Sequence, residues 1–250
     1  MLNFENKNVL VTGGSRGIGK ACVKLFSQAG AKVAFTYFSD SIAAGKIVDE
    51  FGKEKVSAYQ CDISSRKNIA EMSEKVLSDF GRIDILVNNA GIWTYGEVGS
   101  MDEKVWDDMI GLNLTGAFFV TQQFVGKMKE NKYGKIIFVT STAAQRGEAY
   151  HSHYAATKGA LNAVTKSLAV ELADFNITVN AAAPGWVDTE MNDGVFAEPG
   201  YREKVEADIP LKRIAAAEDV AGPILFLASE LARHITGEVL NINGGSVLAG

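Results

Sequence analysis

Two hydrophobic patterns alternate along this chain, and that alternation most constrains its fold. "NVLVT" (8–12), "KVAFTY" (32–37), "KVSAYQCD" (55–62), "IDILVNNAG" (83–91), "GKIIFVTS" (134–141), "ITVNAAAPG" (177–185) and "EVLNING" (238–244) are short apolar runs that read as strands. Between them lie longer stretches of helical period, among them "GKACVKLFSQAG" (19–30), "SIAAGKIVDEFG" (41–52) and "SRKNIAEMSEKVLSDFG" (65–81), each closed by a glycine. Further helices are expected over 103–131, around Tyr154 and over 217–229. Nearly continuous apolar strands joined by helices mean right-handed βαβ units and a parallel sheet covered on both faces. The expected fold class is α/β, a single doubly wound domain over 1–250. Ligands of such sheets sit beyond the strand carboxyl ends, where strand order reverses. That rule gathers the loops 12–19, 37–40, 62–64, 88–96, 141–150 and 184–195.

Composition narrows the function. The 250 residues are 47% hydrophobic, enough for a large core, and the formal net charge is −5. No basic face is advertised, so nucleic acid is a poor partner. The two cysteines, Cys22 and Cys61, have neither metal nor redox spacing, which fits a reducing, cytoplasmic setting. The apolar run near the N-terminus is too short for a signal-peptide core, and no stretch reaches membrane-span length. His151 and His153 do not share a helical face and His234 has no neighbour in sequence, so no catalytic metal is expected.

"TGGSRGIGKA" (12–21) links the first strand to the first helix. Glycines there let backbone N–H groups approach a phosphate, and the helix N-terminus adds partial positive charge. Gly14 to Lys20 spells the start of a nucleoside-triphosphate loop, but Ala21 stands where Ser or Thr would hold magnesium. Farther on, "HSHYAATKG" (151–159) sets Tyr154 and Lys158 one helical turn apart, on one face. Alone, that pair is an ordinary surface pair or a phenol beside an ammonium.

The glycine spacing, Gly13, Gly17 and Gly19 after Thr12, resembles the T-G-x-x-x-G-x-G signature of the short-chain dehydrogenase/reductase family. "NNAG" (88–91), Asn113 in "LNL", Ser141, "YAATK" (154–158), "PG" (184–185) and "ITGEVLNINGG" (235–245) follow in the family's order. The resemblance implies a nicotinamide-dependent oxidoreductase that interconverts a ketone and a secondary alcohol. Tyr154 would be the acid/base, Lys158 would lower its pKa and bind the nicotinamide ribose, Ser141 would orient the carbonyl, and Asn113 would hold a water beside the lysine. Cofactor contacts fall on Gly13, Ser15, Arg16, Gly17, Ile18, Gly19, Asp62, Ile63, Asn89, Ala90, Gly91, Pro184, Gly185, Val187 and Thr189, besides Tyr154 and Lys158. Asn88 would tie strands together. Asp62 reads equally as an adenine contact and as a helix cap, Ser141 alone as a turn serine, and Asn113 alone as a helix-kink residue.

Four finer expectations complete the reading. NADP(H) should be preferred over NAD(H). Tyr37, not an acid, ends the second strand; Arg16 and Ser39 can reach a 2′-phosphate, and Asp40 reads as a helix cap. The substrate pocket should take apolar walls from Trp93, Trp186, Met191 and Phe196 and polar groups from Glu148 and His151. Residues 189–210, with Gly194, Pro199 and Gly200, should form a lid. The apolar helix after Tyr154 and the tail "GGSVLAG" (244–250) suggest a homotetramer. As to substrate, the family's 3-oxoacyl-carrier reductases often carry Thr-Arg after "NNAGI", where Trp93 and Thr94 stand here. A 3-oxoacyl reductase and a sugar or polyol dehydrogenase both stay open, as does a non-catalytic dinucleotide-binding sensor.

Overall fold

The structure, a computed structural model, describes residues 2–248. Seven strands form one parallel sheet: β1 (Asn8–Val11), β2 (Lys32–Tyr37), β3 (Val56–Gln60), β4 (Ile85–Asn88), β5 (Gly134–Val139), β6 (Ile177–Pro184) and β7 (Val239–Ile242). Their order is β3-β2-β1-β4-β5-β6-β7, so the sheet is wound outward in both directions from the β1–β4 junction.

Strand alternation assigns the two faces. Val9, Val11, Ile137 and Val139 point into one core, Leu10, Ile136 and Phe138 into the other. On the first face lie α1 (Gly17–Gln28), α2 (Ser41–Phe51) and α10 (Ala217–Ala228), which supply Phe26, Ile47 and Ile224. On the second lie α3 (Arg66–Phe80), α5 (Ala117–Asn131) and α7 (Ser152–Leu172), which supply Val76, Phe124 and Leu161. The expected fold is thus observed.

Two regions are more finely divided than their sequence reading has them. The stretch 103–131 is not one regular helix. It runs as α4 (Glu103–Met109), a π-helical segment (Ile110–Gly116) and α5. Gly116 sits against the backbone of β3's exit loop; a Cβ there would lie 2.3 Å from the carbonyl oxygen of Ile63. The segment 189–210, expected as a lid, has helical structure of its own. It contains α8 (Asp193–Phe196) and α9 (Tyr201–Asp208). A separate apolar cluster of Val205, Ile209 and Ile214, with Trp186, Phe196 and Tyr201 packed on it, holds this part together. Arg202 on α9 binds both oxygens of Asp188, at 2.6 and 3.1 Å. The short α6 (Ala143–Arg146) precedes α7.

Candidate active site

The carboxyl ends of the strands open into a cleft of about 520 Å³ that straddles the β1–β4 junction. Thr12 organises the junction. Its hydroxyl accepts hydrogen bonds from the N–H groups of Asn89 and Ala90, each at 3.0 Å. Asn89 Nδ2 returns bonds to the carbonyls of Thr12 and Gly13, at 2.9 and 3.1 Å. The glycine loop is therefore tied to the end of β4. Gly13 has φ 66°, in the left-handed region that favours glycine. Gly19 is excluded from the cleft lining; it faces Gly13, whose oxygen would lie 2.1 Å from an added Cβ. Close helix–loop packing leaves no room for a side chain there. Asn88, expected to tie strands, instead donates to Thr121 Oγ1 on α5 at 2.9 Å.

Ser15, Arg16, Gly17 and Ile18 line the cleft at the start of α1. That first turn carries no acidic residue, so its N–H groups and dipole suit an anion. On the β2–β3 side, Tyr37, Ser39, Asp62 and Ile63 line the cleft. Asp40 is there too, but its carboxylate accepts from the Ala43 N–H at 2.8 Å and caps α2. Asp62 Oδ1 accepts from the backbone and the hydroxyl of Ser64, while the cap of α3 falls to Ser65. Asn89, Ala90, Gly91, Pro184, Gly185, Val187 and Thr189 line the opposite side. These residues fit a dinucleotide: a glycine loop and an acid-free helix start at one end, small residues at the other. One group opposes it. Glu190 Oε2 lies 3.7 Å from where a Cβ on Gly17 would be.

Ser141, Tyr154 and Lys158 converge on this cleft. Ser141 Oγ accepts from the Ala143 N–H at 3.1 Å and shares a hydrogen bond with Tyr154. Lys158 Nζ donates to the Val139 carbonyl at 2.8 Å and lies 5.6 Å from the centroid of the Tyr154 ring. Burial lowers the Lys158 ammonium to about 8. Burial pushes the Tyr154 phenol up to about 12; the Ser141 bond pulls it down and the Glu148 charge adds to the rise. Lys158 is not among the groups that set this balance, so the lowering expected of it is not found.

Asn113 lies in the π-helical segment, fully buried and behind the cleft wall. Its Oδ1 accepts from the Ile92 N–H at 2.8 Å and its Nδ2 donates to the Ile92 carbonyl at 2.9 Å. Gly91 separates it from the lysine: an added Cβ would lie 3.3 Å from Asn113 Oδ1 and 3.4 Å from Lys158 Nζ.

Of the expected pocket residues, Trp93, Glu148, Trp186 and Met191 line the cleft; His151 and Phe196 do not. His151 stacks on the back of Trp93, and Phe196 packs on Trp186. Arg146, Asn192, Asp208 and Leu112 also line the cleft and were not anticipated. Arg146 falls within a loop the switch-point rule gathers, so it was within reach. Asp208 ends α9, which arrives only through tertiary packing.

A family profile described as enoyl-(acyl carrier protein) reductase matches residues 13–246. The 3-oxoacyl-acyl-carrier-protein reductase of Thermotoga maritima is 40% identical over 248 residues, 99% of this chain and 100% of that one. The Escherichia coli enzyme of the same description is 37% identical over 244 residues, 98% of each. The chain belongs to the short-chain dehydrogenase/reductase family. A Brucella melitensis member of this family, a glucose/ribitol dehydrogenase, has a solved structure that superposes with TM-score 0.93 at 32% identity, covering 99% of both chains. A putative gluconate dehydrogenase from Agrobacterium tumefaciens gives TM-score 0.93 at 30% identity, covering 98% of both. Family membership makes this protein an oxidoreductase that uses a nicotinamide dinucleotide and acts on carbonyl/alcohol groups. No helix among the described residues is long and apolar enough to cross a membrane.

Proposed function

We propose that the protein is an NADP(H)-dependent carbonyl reductase in which Tyr154 is the acid/base. The observation that carries this is the meeting of Ser141, Tyr154 and Lys158 in the cleft that begins at the glycine loop. The nicotinamide, when bound, supplies or accepts hydride. Ser141 orients the carbonyl by a hydrogen bond to its oxygen, and Tyr154 Oη gives that oxygen a proton. Lys158, held by the Val139 carbonyl, would hold the ribose of a bound cofactor and restore the proton on the phenol. Asn113 keeps the Ile92 backbone in place beside it.

The choice of NADP(H) rests on Tyr37 at the end of β2, where no acid repels a 2′-phosphate, with Arg16 and Ser39 lining the same part of the cleft. Asp40 is engaged as a cap. Among substrates, 3-oxoacyl thioesters are one reading, because two of the relatives named above are reductases of that class. A sugar or polyol is the second reading, favoured by Trp93 after "NNAGI" and by Glu148 and Asp208 in the cleft. A homotetramer is proposed from α7, whose Val170 is 82% exposed; of the apolar tail 244–250, residues 249 and 250 lie outside the described residues. Nicotinamide absorbance with NADPH and NADH, against acetoacetyl thioesters, small ketones and polyols, tests cofactor and substrate together. Turnover with none of them, or with NADH at equal efficiency, overturns the reading. Light scattering reads the assembly, and a monomer mass at micromolar concentration overturns the tetramer.

A further inference from the structure

We propose that His151 is a positioning residue that fixes Trp93 as one wall of a corner made of two indoles, and that this corner selects carbonyl compounds carrying a ring. The proposal rests on the carbonyl-reductase reading and goes beyond it by naming a substrate class and the residue that sets it.

The His151 imidazole lies parallel to the Trp93 indole, with centroids 4.2 Å apart and planes 2° apart. The imidazole is itself held: its Nδ1 is 2.9 Å from the carbonyl oxygen of Ala149. The backbones are joined as well. Gly96 N–H donates to the Tyr150 carbonyl at 2.8 Å, and Gly96 and His151 form a parallel bridge. Thr94 Oγ1 is 3.1 Å from Nε2 of His153, which is fully buried in α7 beside Tyr154. The strip 93–96 is thereby fastened to the strip that enters the catalytic helix, and Trp93 cannot turn without losing its stack.

With one face covered by imidazole, the indole offers the cleft its opposite face and its edge. Trp186, the other wall, meets it edge-to-face at 5.9 Å and 82°. Trp186 is backed by Phe196 at 5.6 Å and Tyr201 at 6.0 Å. Two flat, supported walls at a near right angle match the face and edge of a ring. An open chain must freeze several torsions to touch both, and that ordering opposes binding. The selected substrate is therefore an aryl or alicyclic ketone, or a carbonyl on a saturated ring.

The test compares acetophenone with an open-chain ketone of equal carbon number in the wild type, His151→Ala and His151→Phe. The wild type should favour acetophenone. His151→Ala should lower kcat/KM for it by about tenfold, mainly through KM, and lower the open-chain value by less than about threefold. His151→Phe, which keeps a flat ring behind Trp93, should restore the preference. Equal losses on both ketones, no loss, or failure of His151→Phe to restore overturns the proposal. Indole fluorescence gives a reading free of turnover: His151→Ala should change emission, and the same substitution on a Trp93→Phe background should not. A difference that persists without Trp93 overturns the positioning role. A wild type that reduces no ketone overturns the reductase reading and the ring preference with it, while the emission comparison still decides whether His151 positions Trp93.

Discussion

The carboxamide of Asn113 pairs with the backbone of Ile92 in both directions, accepting from its N–H at 2.8 Å and donating to its carbonyl at 2.9 Å. This acts as a ladder rung between a helix and a loop. Asn113→Ala would leave both part-buried Ile92 groups without their partner, at a cost of about 1–1.5 kcal/mol for each. Thermal unfolding should shift down by roughly 5–10 °C at this chain length, with turnover falling as well. An unchanged melting temperature would remove Asn113 from the support of the loop.

Tyr154→Phe keeps the ring and deletes the hydroxyl. Turnover should fall about a hundredfold or more, with NADPH affinity changed by no more than a few-fold. Because burial holds the phenol up to about 12, Tyr154 stays protonated at neutral pH. Alcohol oxidation, which needs the phenolate, should therefore speed up as pH rises, and ketone reduction should not. Opposite pH trends would reassign the acid.

Lys158 carries a stability signature. Its folded pKa, about 8, lies below the unfolded value of about 10.5. Between those values the unfolded chain binds the extra proton, so the lysine makes stability rise with pH from about 8 to 10. Tyr154, Cys22 and Cys61, all raised in the fold, pull the other way from about 9 upward, so the lysine's part is read as the difference between wild type and variant. The gain over that window is on the order of 2 kcal/mol and should be missing in Lys158→Met. Denaturant unfolding of the apoprotein at both pH values measures it; a gain of the same size in the variant refutes the assignment. The variant should also bind NADPH more weakly.

Arg16 is the N-cap of α1 and lines the cleft. Arg16→Ala should raise KM for NADPH about tenfold and KM for NADH less than about threefold, since a guanidinium on a phosphate is a strong charge-assisted contact. Equal effects on both cofactors would count against a 2′-phosphate site.

Glu190 brings a carboxylate over the glycine loop, near Gly17. Replacing it by Gln removes charge repulsion from the place a pyrophosphate would take. Glu190→Gln should tighten NADPH binding by roughly threefold at low salt, with the gain shrinking as ionic strength rises. Weaker binding would show that Glu190 turns away from the bound cofactor.

Much of this was legible in the sequence because it is local. Val9, Leu10 and Val11 alternate between two cores, and the run "NVLV" alone says so. Gly13, Gly17, Tyr154 and Lys158 stand out by spacing within one loop or one turn, and the family resemblance gives them their expected roles. The π-helical segment was not, since Ile110–Gly116 keeps a helical pattern and the close approach of Gly116 to the distant Ile63 backbone is made only in the fold. The setting of His151 is hidden for the same reason. A histidine in a polar loop looks like a pocket group, and only the fold reveals Trp93 lying across its ring. The helices α8 and α9 owe their place to a satellite core around Trp186, which no single stretch advertises.

The bond from Gly96 to Tyr150 joins the exit loops of β4 and β5, which are neighbours in the sheet. The residues proposed for the adenosine half stand on β1, β2 and β3, across the junction. For an engineer, segments 92–96 and 149–153 therefore make one exchangeable cassette. Grafted together from a relative they should carry its substrate range and leave the host's coenzyme choice intact; grafted singly, each arrives without the half that braces it.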